Sequence, residues 1–208
     1  TLREKRDILL DKLKSRISSD AASYTYFNQG SYAMHTGISP DDGDFDIDVG
    51  LRFAVDKEDY PDPTVLKKWV RDALDGHTKS VEIRKPCVTV KYQRDGESIY
   101  HVDFAIYAAG NADGKLYLAR GKEFSEADNK FWEESDPLEL IRLVREKFEG
   151  TDAQQFRRVI RYLKKWKSQK FDSNGHAAPT GISLTVLAYN LFSPNYTVDV
   201  FKNGARAY

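Results

Sequence analysis

The sequence predicts an α+β protein, in which a sheet domain with flanking helices is followed by a helical lobe. Apolar and polar residues alternate strictly over 45–55, which is the two-residue period of a strand with one buried face. Two β-rich runs, 87–93 and 99–107, flank an Asp-Gly pair and predict a hairpin. Beyond residue 136 the apolar residues recur only with the spacing of helices. Strands grouped ahead of helices are typical of α+β folds.

The other elements follow from apolar spacing and end signals. A helix is predicted over 3–18, where apolar residues recur every three or four positions. Asp62 followed by Pro63 is typical of a helix start, so a second helix covers 63–75. A short strand is expected at 116–118.

Three helices are predicted in the second half of the chain, over 137–150, 152–172 and 179–192, the middle one capped by Asp152. Its apolar stripe, which ends at Trp166, is expected to face a core. The domain boundary falls within 125–136. We place the sheet domain at 1–130 and the helical lobe at 131–208.

Composition excludes several classes of protein. The chain has 208 residues, with 32 Lys and Arg against 32 Asp and Glu, so no global field attracts nucleic acid or acidic lipid. No apolar run is long enough to cross a bilayer. The single cysteine, Cys87, rules out an internal disulfide framework, and a cytoplasmic location is expected. Because the chain starts at Thr1 without a Met, flanking segments are expected to be missing.

Two carboxylates project from one face of the strand over 45–55. Asp46 and Asp48 are two positions apart, so both point away from the side of apolar Ile47 and Val49. Asp103 lies in a later strand, and the three acids converge if the two strands are neighbours. Carboxylate oxygens suit Mg²⁺, which keeps coordination sites for substrate phosphates. The set predicts a two-metal site, and two-metal sites catalyse displacements at phosphorus.

Two other interpretations of the acids stay open. Asp44 shares the face, so the pair would then be Asp44 and Asp46; we favour Asp46 and Asp48, because apolar Phe45 and Val49 enclose them. A lone Asp-x-Asp is also typical of a solvated strand end.

A Gly-Ser turn precedes the acidic strand. Gly30 and Ser31 offer free backbone N–H groups and a hydroxyl to a phosphate, with no side chain blocking the approach at the glycine. Ser31 lies 15 residues before Asp46. The combination of this turn, the acidic pair and a third Asp in a later strand is a far more specific sign of a catalytic site than any one of them.

These residues resemble the signature of the polymerase-β-type nucleotidyltransferase superfamily. The stretch QGSYAMHTGISPDDGDFDIDVGL is most similar to its cGAS/DncV-like branch, the bacterial CD-NTases, and the resemblance runs from about residue 20 to 192. It implies a mixed sheet with flanking helices followed by a helical lobe. It also implies that Asp46, Asp48 and Asp103 bind two Mg²⁺ ions, or Mn²⁺ in their place, and act in catalysis.

The resemblance also assigns substrate contacts. Gly30 and Ser31 match the turn that holds the donor triphosphate. Arg161 and Lys164, three apart on a basic helix, match the family's triphosphate contacts. Thr180, at a predicted helix N-terminus, matches a further phosphate contact, and Ser183 competes with it.

Two departures from the pattern of relatives concern base recognition and metal. Gly181 stands where oligoadenylate synthase and the animal cyclase have an aromatic residue that stacks on the donor base. A zinc ribbon is excluded, because the chain has one cysteine and four scattered histidines.

The function implied is that of a Mg²⁺-dependent nucleotidyltransferase, which joins nucleoside triphosphates into a cyclic or short linear oligonucleotide signal and releases pyrophosphate. The resemblance further implies bacterial antiphage signalling through a separate effector that senses the product, with no need for nucleic acid or a membrane. Two alternatives keep the fold: transfer of nucleotides to an RNA 3′ end or a protein, and an inactive nucleotide-binding sensor.

Overall fold

The computed structural model describes residues 1–39, 45–94, 97–171 and 177–195. Within them, seven strands form one mixed sheet whose central order is β1-β2-β5-β4-β3, with β6 paired to β5 and β7 to β6. The strands are β1 (Tyr24–Gln29), β2 (Phe45–Phe53), β3 (Ser80–Ile83), β4 (Val88–Arg94), β5 (Glu97–Ala108), β6 (Tyr117–Arg120) and β7 (Phe131–Glu134). The α+β class is as predicted.

The pairing directions explain how the chain forms a mixed sheet. β2 and β5 are parallel, whereas the other pairs are antiparallel. The predicted hairpin is present as β4 and β5, and its Asp95-Gly96 turn lies outside the described residues. β1, β3 and β7 were not predicted.

The core lies on one face of the sheet. Every second side chain of β2, from Ile47 to Phe53, is fully buried. Each such side chain stabilises the fold by roughly 1.5–3 kcal/mol. Helices α1 (Leu2–Arg16) and α3 (Thr64–Leu74) cover this face with their apolar sides. The acidic side chains of β2 are therefore left on the other face.

Lys67 of α3 is a fully buried cation. Its Nζ donates to the carbonyl oxygens of Arg84 at 3.0 Å, Lys85 at 2.7 Å and Gly121 at 2.9 Å. Burial lowers the pKa of Lys67 to about 8. The three acceptors match the three N–H donors of an ammonium group, so Lys67 holds the β3–β4 turn against the loop after β6.

Lys67→Met is expected to lower the free energy of unfolding by about 3 kcal/mol, because buried carbonyl groups lose a charged donor and each unsatisfied group costs 1–3 kcal/mol. Denaturant unfolding followed by circular dichroism measures the change. Lys68→Met, at the partly exposed next position of the same helix, is the control and is expected to change the free energy by less than about 0.5 kcal/mol. Equal effects of the two variants would contradict the conclusion that Lys67 holds the β3–β4 turn against the loop after β6.

The chain divides by its contacts into two units, 1–142 and 143–208. The division falls within helix α4 (Pro137–Glu146), while the strand over 131–134 belongs to the sheet. The domain bounds 1–130 and 131–208 remain a prediction.

The second unit contains helices α5 (Gly150–Lys170) and α6 (Gly181–Leu191). Phe156 packs against both Phe148 and Phe192, with ring centroids 5.3 and 5.7 Å away. Two predictions for α5 were wrong. The helix begins at Gly150, before Asp152, and its N-cap is Glu149. Trp166 is 46% exposed. No described helix is both long and apolar enough to cross a membrane.

Candidate functional site

The three predicted acids lie on neighbouring strands of the first unit. In the parallel pairing of β2 and β5, Asp48 is directly opposite Asp103, and Asp46 is opposite His101. Their flanking residues, such as Ile47, are buried on the core face, so the carboxylates share the opposite face. The strands that carry the acids are thus adjacent, as the convergence requires.

The acids differ in exposure. Asp46 is exposed, whereas Asp48 and Asp103 are half-buried. β2 begins at Phe45, and the alternative partner Asp44 lies outside the described residues. Asp48, which lies opposite Asp103, belongs to the pair Asp46 and Asp48 that the sequence analysis favours.

The Gly-Ser turn lies against Asp48. β1 is antiparallel to β2, with Gln29 opposite Asp48, and the short helix α2 (Gly30–Ala33) follows at once. Gly30 has φ +64°, and a Cβ added there would lie 1.9 Å from Asp48 Oδ2. Glycine is favoured at this position, because the left-handed backbone strains any other residue and an added side chain would displace the carboxylate. Ser31 comes next, in the first turn of α2.

An aromatic layer supports the turn from the same face of the sheet. A Cβ at Gly50 would lie 2.2 Å from the Phe27 ring, so that ring covers Gly50. Phe27 packs on Tyr107 with a centroid distance of 6.0 Å. The Tyr107 hydroxyl donates to Gln29 Oε1 at 3.0 Å, and burial raises the pKa of Tyr107. The residue just before Gly30 is thereby held by a buried phenol.

Asp103 has partners that sequence analysis missed. Thr89 Oγ1 donates to Asp103 Oδ1, and His101 Nε2 lies 3.8 Å from Asp103 Oδ2. Cys87 Sγ lies 3.5 Å from Thr89 Oγ1, and burial raises the pKa of Cys87 to about 12, so its thiol keeps its proton. The two-residue spacing of Cys87 and Thr89 was a signal that both share a face, but their opposition to Asp103 depends on the strand register.

The three acids fit a divalent cation in the type of donor atom that they provide. Asp46, Asp48 and Asp103 provide carboxylate oxygens on one face, and Mg²⁺ prefers oxygen ligands. Across the described ranges, no three or more His, Cys, Asp or Glu side chains are gathered closely enough to hold a metal ion.

The basic residues predicted to contact phosphate lie in the second unit. Lys164 Cε is 3.7 Å from a Cβ built on Gly181, so the lysine lies beside the first residue of α6. Thr180 is the N-cap, and its Oγ1 accepts from Ser183 N at 3.1 Å. Burial, together with neighbouring guanidinium groups, lowers the pKa of Arg161. Lys164, Thr180 and Ser183 therefore cluster at one helix N-terminus.

Comparisons of the sequence with known proteins find a family model and a relative. Residues 24–107 match the family model described as cyclic GMP-AMP synthase DncV-like, nucleotidyltransferase domain. That range contains the Gly-Ser turn and all three acids. A curated relative, the cyclic GMP-AMP synthase of Escherichia albertii, is 27% identical in an alignment of 191 residues that covers 87% of this chain and 39% of the relative.

Solved structures share the fold. DncV from Escherichia coli in its 3′-deoxy GTP bound form has a TM-score of 0.63 at 23% identity, over 92% of this chain and 54% of that one. The CD-NTase CdnG from Bradyrhizobium diazoefficiens in complex with GTP has a TM-score of 0.68 at 12% identity, over 93% of this chain and 65% of that one. The chain spans less than two thirds of the length of each of these relatives.

Proposed function

We propose that the chain, whose residues 24–107 match the DncV-like nucleotidyltransferase model, joins nucleoside triphosphates into a cyclic or short linear oligonucleotide. Pyrophosphate is the second product. The observation that carries the proposal is the position of Asp48, which lies against the Gly30 backbone on one side and opposite Asp103 on the other. A turn suited to phosphate and two carboxylates meet there.

The reaction forms a bond between the acceptor hydroxyl oxygen and the α-phosphorus of the donor, and it breaks the bond from that phosphorus to the bridging oxygen of pyrophosphate. Backbone N–H groups of Gly30 and Ser31 bind the donor phosphates, since glycine allows a close approach. Asp103 accepts the proton of the attacking hydroxyl. Catalysis is then mainly positioning and charge neutralisation.

Asp46, Asp48 and Asp103 would hold two Mg²⁺ ions, or Mn²⁺ in their place. When bound, the ions lower the pKa of the acceptor hydroxyl and neutralise the charge of the leaving pyrophosphate. The three residues provide oxygen ligands of the kind that both ions accept.

Arg161, Lys164, Thr180 and Ser183 contact the phosphates of bound nucleotides in this proposal. The cluster of Lys164, Thr180 and Ser183 at the start of α6 supports it, because helix N-termini favour anions. The product acts as a signal to a separate effector in antiphage defence, and nucleoside triphosphates and the single cysteine suit a cytoplasmic setting.

Incubation of the protein with labelled nucleoside triphosphates and Mg²⁺ or Mn²⁺, with and without RNA, tests the proposal. The expected result is pyrophosphate release and cyclic or short linear products, identified by chromatography and mass spectrometry, without a need for RNA. Omitting the divalent ion or adding a chelator is expected to stop both.

Two outcomes would overturn this function. Products that appear only as RNA extensions would indicate transfer to an RNA 3′ end. Saturable nucleotide binding without pyrophosphate release, in either metal, would indicate a sensor. Neither outcome depends on which base the protein selects.

A further inference from the structure

Asp103 is held by a side chain to which neither the sequence motif nor the proposed reaction gives a role. Thr89 of β4 lies directly opposite Asp103 of β5, and it is fully buried. Its Oγ1 is 2.5 Å from Asp103 Oδ1. Because a buried hydroxyl is costly without a partner, this hydrogen bond is a fixed part of the fold.

The donors and acceptors of this contact can be assigned by counting hydrogens. An ionised carboxylate only accepts, and a threonine hydroxyl has a single hydrogen. The Thr89 hydrogen therefore goes to Asp103. The contact of 3.5 Å between Cys87 Sγ and Thr89 Oγ1 is then a thiol donating to the hydroxyl oxygen. Cys87 is thus linked to Asp103 through Thr89, and the Asp103 carboxylate also contributes directly to the raised pKa of Cys87.

The chain makes the two oxygens of Asp103 unequal. Oδ1 is committed to Thr89, and Oδ2 lies 3.8 Å from His101 Nε2. A partial rotation of the carboxylate about its last bond breaks the buried hydrogen bond, and a half turn only exchanges two equivalent oxygens. Oδ2 is therefore the oxygen left for an ion or for the proton of an attacking hydroxyl.

We propose that Thr89 is a positioning residue, which orients the Asp103 carboxylate so that Oδ2 is presented to the reacting groups, with the Cys87 thiol fixing the Thr89 hydroxyl. The inference rests on the proposed function of Asp103. Hydrogen-bond partners of metal-binding carboxylates change metal affinity or activity about 10–100-fold when they are removed. Thr89 is expected to have an effect in this range.

The test compares Thr89→Val, which keeps the shape and removes the hydroxyl, with Thr89→Ser, which keeps the hydroxyl. Two quantities are measured on the full chain: the Kd for Mn²⁺ alone, from the electron paramagnetic resonance signal of free Mn²⁺, and kcat for pyrophosphate release at saturating nucleotide. We expect Thr89→Val to raise the Kd and lower kcat, each about tenfold or more. Thr89→Ser is expected to restore both to within about threefold of the wild type, since the donor is retained.

Cys87→Ala provides an independent variant, since it leaves Thr89 in place. It is expected to change both quantities in the same direction as Thr89→Val but by a smaller factor, about twofold to fivefold, because it removes only a weak thiol donor. If Thr89→Val does not fold, the comparison of Cys87→Ala and Thr89→Ser with the wild type decides the question, and a wild-type Kd and kcat for Cys87→Ala then overturn the proposal.

The outcomes separate this inference from the function on which it rests. A wild-type protein that binds no Mn²⁺ and releases no pyrophosphate overturns the proposed function. A competent wild type with an equally competent Thr89→Val variant overturns only the role of Thr89. A Thr89→Val variant that loses thermal stability but keeps the wild-type Kd and kcat would show a purely structural hydrogen bond, and that result also overturns the role.

Discussion

Asp48→Asn is expected to reduce pyrophosphate release by about 100-fold or more, because losing several kcal/mol of charge stabilisation divides the rate by ten for each 1.4 kcal/mol. Asparagine has nearly the same shape but lacks the charge. Asp48 is the acid that touches the Gly30 turn and also faces Asp103. Asp46→Asn is expected to abolish turnover in the same assay.

The fold is expected to survive this change. Asparagine keeps the size of the side chain and can still form hydrogen bonds, so the free energy of unfolding should change by less than about 1 kcal/mol. Asp11→Asn, at an exposed position of α1 on the other face, is the control for loss of a charge and should keep the wild-type rate. A wild-type rate for Asp48→Asn would show that Asp48 has no part in the reaction.

Gly30→Ala is expected to reduce the rate at least tenfold and to lower the free energy of unfolding by about 1–3 kcal/mol. The added Cβ would lie 1.9 Å from Asp48 Oδ2 at a residue with φ +64°. The carboxylate must therefore move, or the turn must open. Steady-state pyrophosphate release and denaturant unfolding measure the two effects.

Gly76→Ala separates backbone strain from displacement of the carboxylate. Gly76 has a similar φ of +69°, but no atom lies within 4 Å of its built Cβ. Its alanine variant is expected to lose about 1 kcal/mol of stability through the left-handed backbone alone and to retain the wild-type rate. If both variants lose activity equally, the contact between Gly30 and Asp48 is not the cause.

The elements that sequence analysis predicted are those with a strong contrast between their two sides. β2 was predicted because its core face is fully apolar and its other face is polar. β1 was missed because its sequence, YTYFNQ, mixes aromatic and polar residues on both faces, and β7 was missed because four residues are too few for a period. The start of α5 was misplaced because Gly150, with φ +54°, begins the helix where a glycine is expected to end one.

The candidate site likewise contains residues that the sequence predicts and contacts that it does not. Asp46, Asp48, Asp103 and the Gly-Ser turn could be predicted, because their spacing in sequence is itself the signal. The opposition of Thr89 and Asp103, and the contact of Tyr107 with Gln29, arise from strand register and side-chain packing over 14 and 78 positions of sequence separation. No local pattern encodes such pairs, because each depends on which strands become neighbours.

Three strands that are neighbours in the sheet, β1, β2 and β5, place Gln29, Asp48 and Asp103 in one row across it. Adjacent strands are separated by peptide hydrogen bonds at about 4.8 Å, so the backbones at the two ends of this row are about 10 Å apart. That distance comes from main-chain geometry and does not depend on the identity of any side chain. Substitutions in the surrounding loops would therefore leave unchanged the span between the Gly-Ser turn and Asp103, the proposed proton acceptor.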